Sequence, residues 1–157
     1  MGGDCEGRGR IMMSEDRFAV EDEMLARKIH LENYNFCLNH EPGLSVVVNL
    51  DKYFPGVWYN IKFYLLDRFP ERKPIVTAGE LLYDCNGWSM DTVSSEQHLL
   101  GVHNGETYMC LYNDSEWNNN ISLYKLVCRA QRWLAAYNFH LLSGESIETF
   151  LPHGKIR

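Results

Sequence analysis

Apolar positions change their period twice along the chain. From Ser14 onward Phe18, Leu25 and Ile29 recur at helical spacing, with Met24 and Leu31 widening the face. Ser14 stands where an N-cap belongs, and Glu15 and Asp16 follow in the first turn, where negative charge suits the helix dipole. Glu23 and Arg27 lie four apart on the polar side. The pattern predicts a helix that fades between Asn33 and Asn39, with a break at Glu41-Pro42-Gly43. The period then falls to two. Leu44 to Leu50 is a short β-branched run, Tyr53-Phe54-Pro55-Gly56 supplies turn chemistry, and Val57 to Leu66 alternates. In that run Val57, Tyr59, Ile61, Phe63 and Leu65 share one face, with Asn60 and Lys62 on the other. A charged loop around Phe69-Pro70, closed by Pro74, leads to a third predicted strand, Ile75 to Tyr83, with Gly79 at a bulge. Such short connections favour an antiparallel meander, because a parallel crossover consumes many more residues.

Residues 84 to 119 lack either period and are rich in Asn, Asp, Ser and Gly. A loop that long inside a compact domain is usually functional or partly disordered. Helical spacing then returns: Leu123, Leu126, Val127, Ala130, Trp133, Leu134 and Tyr137 form one stripe, with Lys125, Arg129 and Arg132 opposite. Asn119 or Asn120 is the expected cap, Gly144 the expected terminator, and Ile147 to Leu151 one further turn. The predicted fold class is α+β: an N-terminal helix, an antiparallel β-meander, a long active-site loop and a C-terminal amphipathic helix. Residues 14–152 make one domain, flanked by a disordered tail at 1–13 and a short tail at 153–157. Met12 or Met13 is an alternative natural start.

Charge and cysteine usage narrow the function classes. A formal net charge of −6 argues against a broad phosphate-binding surface. It leaves basic protein surfaces as the natural electrostatic match. No apolar run approaches the roughly 20 residues of a membrane span, and residues 1–13 lack the apolar core of a secretion signal. Cysteines stand at 5, 37, 85, 110 and 128 with no C-x-x-C pair, which reads as a set of reduced thiols in a cytoplasmic protein. Cys37, Cys85 and Cys128 are expected to be packing residues.

The chemistry concentrates in Gly101-Val102-His103-Asn104-Gly105-Glu106-Thr107-Tyr108-Met109-Cys110-Leu111-Tyr112, followed by Asp114-Ser115-Glu116-Trp117 and the second helix. This segment resembles the active-site segment of ubiquitin-conjugating enzymes, which carry a His-Pro-Asn element, a glycine, an Ile-Cys-Leu-like tripeptide, a tryptophan shortly after and then a helix. Cys110 matches the thioester cysteine, Leu111 the residue after it, and Trp117 the tryptophan, seven residues on. Phe69-Pro70 with Pro74 resembles the Tyr-Pro and Pro-Pro region of that family, and the resemblance extends over residues 14 to 142. His103 and Asn104 are adjacent, where the family has an intervening proline. The Cys-Leu-Tyr tripeptide, the Trp133-Leu134 pair and the short C-terminal region are similar to the bacterial branch, some members of which sit in CBASS-type antiphage operons with cyclic-nucleotide signalling enzymes.

The resemblance implies a transferase that holds the C-terminus of a protein as a thioester on Cys110 and passes it to an amine on a target. The conjugated protein would be a ubiquitin-like protein or a cyclic-nucleotide synthase, loaded by an activating enzyme, with no metal or organic cofactor and with neither nucleic acid nor membrane as partner. By position in the family motif, Asn104 is the candidate oxyanion donor, and His103 either takes part or shapes the loop. Asn104 in an Asn-Gly pair is equally a turn former. Trp117 is a candidate loop anchor, and Asp114 and Glu116 read first as solvated loop charges.

Three other readings use the same residues. A cysteine hydrolase would pair Cys110 with His140 or His153 but offers no third orienting group. Zinc binding through His98, His103 and Cys110 lacks paired ligands at known spacings. A non-catalytic binding module of the same fold would leave the thiol idle, because fold alone does not fix function.

Overall fold

The computed structural model describes residues 13–37, 42–65 and 69–152. Residues 1–12 of the tail expected at 1–13, the tail at 153–157, Cys5, His153 and the turn at Glu41 therefore lie outside the described residues, whereas Met13 is described and is buried in the core. Helix α1 (Glu15–Lys28) begins where Ser14 accepts the Arg17 amide on its side chain at 3.1 Å, and Arg27 pairs with Glu23 on the exposed side. The helix is shorter than its apolar periodicity suggests. A single 3-10 turn (Leu31–Asn33) follows, and the stretch expected to fade out instead forms strand β1 (Tyr34–Cys37). Leu31 is exposed and belongs to no apolar face.

The meander is β1, β2 (Gly43–Asn49), β3 (Trp58–Tyr64) and β4 (Ile75–Thr77), each antiparallel to the next. Its register sets Leu44, Val46 and Val48 opposite Phe63, Ile61 and Tyr59, so that all six enter the core. Asn60 stays exposed and Lys62 half-exposed on the outer face. Alternation over β2 and β3 thus specifies register as well as strand, since a one-residue slip would turn these side chains outward.

The third strand ends at Thr77, six residues before the Tyr83 expected from sequence. A Cβ at Gly79 would sit 2.0 Å from the Asn60 carbonyl oxygen, and Gly79 itself has φ +80, so only glycine lets the chain turn this close to β3. From there the Thr107 amide donates to the Glu80 carbonyl at 3.0 Å. The buried Thr107 hydroxyl accepts the Leu82 amide at 2.8 Å and donates to the Met90 carbonyl at 3.0 Å.

The supposed long loop contains further sheet: β5 (Val93–Ser94), β6 (Leu99–His103) and β7 (Glu106–Met109). They complete one seven-stranded sheet in the order β1-β2-β3-β4-β7-β6-β5, joined through Thr77 opposite Tyr108. Helix α2 (Leu123–Ser143) covers the inner face, and a short α3 (Ile147–Phe150) follows. The cap of α2 is Ser122, which accepts the Lys125 amide at 3.1 Å, in place of Asn119 or Asn120. Gly144 terminates the helix in the left-handed conformation, as its position suggests. The whole predicted stripe from Leu123 to Tyr137 is buried. Arg129 is buried with it, which corrects its assignment to the polar face.

A single carboxylate joins the two main helices. Glu21 of α1, 1% exposed, accepts the amide of Leu123 at the start of α2 at 2.8 Å and pairs with Arg17 at 2.7 Å. Arg17 in turn donates to the Asn119 and Ile121 carbonyls. A negative group at a helix N-terminus satisfies an amide that the helix itself leaves unpaired. Glu21→Ala should lower unfolding stability by about 2 kcal/mol, because hydrogen bonds to a charged group are lost and buried donors are left unpaired. Glu21→Gln, which keeps an acceptor for Leu123, should cost less. Urea denaturation checks both, and a change in Glu21→Ala indistinguishable from zero would remove the clamp from the account of stability.

Candidate functional site

Strand β7 ends at Met109, and Cys110 is the first residue beyond it. The Cys110 amide donates to the carbonyl of His98 at 2.9 Å, and the indole Nε1 of Trp133 donates to that same carbonyl at 3.0 Å. His98 has φ 51, a left-handed backbone unusual for a side chain of its size. Its ring is buried, and Nε2 lies 2.7 Å from a carboxylate oxygen of Glu148. An ionised carboxylate only accepts, so Nε2 is the donor.

The residues after Cys110 are held as firmly. Arg129 reaches from α2 to donate to the Leu111 carbonyl at 2.7 Å, and its guanidinium lies 3.6 Å from the centre of the Tyr112 ring. From the other side Lys73 donates to the Tyr112 carbonyl at 2.8 Å and pairs with Asp114 at 3.0 Å. Trp117 donates from its indole nitrogen to the Pro70 carbonyl at 2.9 Å, with its ring near both Phe69 and Tyr112. That ties the segment after the cysteine to the loop before β4. The outcome is an ordered backbone around a half-exposed thiol.

Burial pushes the Cys110 thiol above its ordinary pKa; Lys73 opposes the shift, and Asp114 and Glu116 add to it. The half-buried Tyr108 hydroxyl is raised too, first by burial and then by Cys110 and Asp114. The thiol is therefore mostly protonated at neutral pH.

His103 and Asn104 are not brought to Cys110. The two-residue turn between β6 and β7 is Asn104-Gly105, with φ 51 and 73, which is the left-handed pair of a type I′ hairpin. The four residues of β7 separate that turn from Cys110 by on the order of 14 Å at about 3.4 Å per residue. Asn104 is thus a turn residue, and its assignment as oxyanion donor by motif position is corrected. The His103 ring packs edge-on against Tyr64 at 4.5 Å, on the outer face of the sheet, so it shapes the hairpin end and not the cysteine loop.

The alternative bases and ligands are committed elsewhere. His140 is buried, with Nδ1 2.7 Å from the Glu145 carbonyl and Nε2 accepting the Cys85 amide at 3.1 Å. Both ring nitrogens are engaged away from Cys110. Among the described residues no group of three or more His, Cys, Asp or Glu side chains could hold a metal ion, so His98, His103 and Cys110 do not form one cluster. Cys37 and Cys85 are exposed, which corrects their reading as packing residues; Cys128 is half-buried on α2 beside the Tyr124 hydroxyl. No helix among the described residues is long and apolar enough to cross a membrane.

The sequence nominates Cys110 and Trp117 and does not name the groups that hold this segment: His98, Arg129, Lys73 and Trp133 in its indole role. The signal available for Arg129 was its spacing, three residues from Leu126 and four from Trp133, which sets it at the border of the apolar stripe. Compared with protein-family models, curated proteins and solved structures, the chain matches none.

The charge environment makes a directional forecast. Removing the Asp114 carboxylate favours the thiolate, and removing the Lys73 ammonium disfavours it. At pH 7.5 iodoacetamide should therefore modify Cys110 roughly twofold faster in Asp114→Asn and several-fold slower in Lys73→Met, the modest scale expected of partly exposed charges. Peptide mass spectrometry separates Cys110 from the exposed Cys37 and Cys85. Opposite directions would show that solvent access, not charge, controls the thiol.

Proposed function

We propose that this chain is a thioester-forming transferase of the ubiquitin-conjugating type. It holds the C-terminal carbonyl of a protein on the sulfur of Cys110 and passes it to an amine on a target. The observation that carries the reading is the half-exposed Cys110 whose amide is fixed to the His98 carbonyl, in a segment clamped on both sides. The order of the flanking elements supports it: a helix and an antiparallel meander, then three further strands, the cysteine segment anchored by a tryptophan, and a helix. The ubiquitin-conjugating fold and membership of its bacterial branch are part of this proposal.

In the first step the Cys110 sulfur attacks the carbonyl of an incoming thioester. The S–C bond to Cys110 forms, the bond to the donor sulfur breaks, and the donor leaves as a thiol carrying the proton that Cys110 gives up. In the second step the target amine attacks, its nitrogen loses a proton to solvent, and Cys110 leaves as thiolate and is reprotonated. A thiol with a raised pKa holds its proton readily after release. Asp114, exposed beside Lys73, and Glu116 put negative charge near the sulfur, where an approaching lysine is attracted. The cargo would be a ubiquitin-like protein or a cyclic-nucleotide synthase in antiphage signalling, delivered by an activating enzyme, in the cytoplasm of a bacterium.

A peptide carrying a C-terminal glycyl thioester tests the reaction without knowledge of the natural cargo. The wild-type chain should acquire a reductant-sensitive acyl adduct on Cys110 and pass it to free lysine, while Cys110→Ala yields no lysine product. If wild type forms no adduct on Cys110, the chain is a binding module with an idle thiol. Asn104→Ala should leave both charging and discharge within about twofold of wild type, because its cost falls on the left-handed turn and not on the reaction. Slower discharge with normal charging in that variant would restore the oxyanion assignment.

A further inference from the structure

We infer that helix α3 is a positioning element for Cys110, acting through Glu148 and His98; its consequence for catalysis rests on the transferase reading above. Three hydrogen bonds dock this helix on the segment that precedes β6. The Glu148 amide donates to the Glu96 carbonyl at 2.8 Å, the Ile147 amide donates to the Gln97 side-chain oxygen at 2.8 Å, and the His98 ring donates to the Glu148 carboxylate at 2.7 Å. Ile147 is fully buried, so the helix is also anchored through the core.

These contacts bear on Cys110 because of the backbone of His98. At φ 51 the peptide following His98 is turned so that its carbonyl meets both the Cys110 amide and the Trp133 indole. A left-handed backbone is disfavoured for a residue with a Cβ, so left alone this residue would relax toward negative φ. Relaxation would swing the carbonyl away from both donors. The buried ring is a second handle on His98 besides its carbonyl, and Glu148 grips it. The carboxylate of a residue 38 positions after Cys110 thereby governs where the Cys110 backbone lies. A displacement of about an ångström at a reacting atom can cost a hundredfold in rate, which gives this coupling a functional consequence. Glu148 and His98 are positioning residues, since neither is required to touch the acyl group.

Amide hydrogen exchange on the full chain, followed by NMR, reads the positioning without any substrate. In Glu148→Ala the Cys110 amide and the Trp133 indole proton should exchange roughly tenfold faster, the scale of one charge-assisted hydrogen bond. The amides of Phe18 and Ile29, bonded to Ser14 and Leu25 at the two ends of α1, should be unchanged. Glu148→Gln retains an acceptor for the His98 ring and should restore most of the protection. Unchanged exchange at Cys110 and Trp133 would overturn the inference. So would a uniform rise that includes α1, because α3 would then be contributing only global stability. Acyl transfer from the peptide thioester to lysine should fall in Glu148→Ala and recover in Glu148→Gln. If wild type transfers nothing, the transferase reading fails, and the exchange data still decide the positioning.

Discussion

The carbonyl of His98 accepts two hydrogen bonds from distant parts of the chain, the amide of Cys110 at the end of β7 and the indole of Trp133 in the middle of α2. A buried carbonyl has two lone pairs and must find partners for them. Here the partners are one residue of the sheet and one of the covering helix, so a single acceptor fixes how far α2 stands from the strand end. The arrangement is available only because His98 takes a left-handed backbone. Arg129 can reach the Leu111 carbonyl because Trp133, one helical turn later, has already set the depth of α2.

The clamp differs in kind on the two sides of the cysteine. Before it, the His98 carbonyl and the Glu148 carboxylate on the His98 ring do the holding. After it, cations do: Arg129 on Leu111 and over Tyr112, Lys73 on Tyr112 and Asp114. Both cations are spent largely on carbonyls and on an aromatic face, which leaves burial as the dominant influence on the thiol. A site built to activate a nucleophile would aim such charges at sulfur. This one uses them to order the chain.

Legibility in the sequence followed how strongly each element is determined locally. β3 was readable because its inward face is buried and its outward face is largely wet, which imposes period two, and β2 because it is a short β-branched run. α2 was readable for the same reason at period 3.6, and Gly144 marked its end through a conformation that few other residues adopt. β1 was hidden because its four residues alternate only between half-buried and exposed. β5, β6 and β7 are short, and their pairing is interrupted by an irregularity between Leu99 and Val102. The Asn-Gly pair between β6 and β7 was a sound local signal for a hairpin, and reading it as part of an active-site motif obscured that. Local turn chemistry overruled the motif position, because two residues with positive φ close a two-residue hairpin whatever follows them.

The residues that hold Cys110 were illegible for a different reason. His98 matters through its carbonyl, a group that every residue has, and its ring is held by Glu148, which lies 50 positions away. Arg129 matters because its helix presents it to a carbonyl, and only the assembled fold defines which carbonyl. A cysteine announces its chemistry by type; the groups that aim it act through backbone atoms and through contacts distant in sequence. The thiol can therefore be nominated from a short motif, while its orientation is a property of the whole sheet, of α2 packed against it, and of a four-residue helix at the far end of the chain.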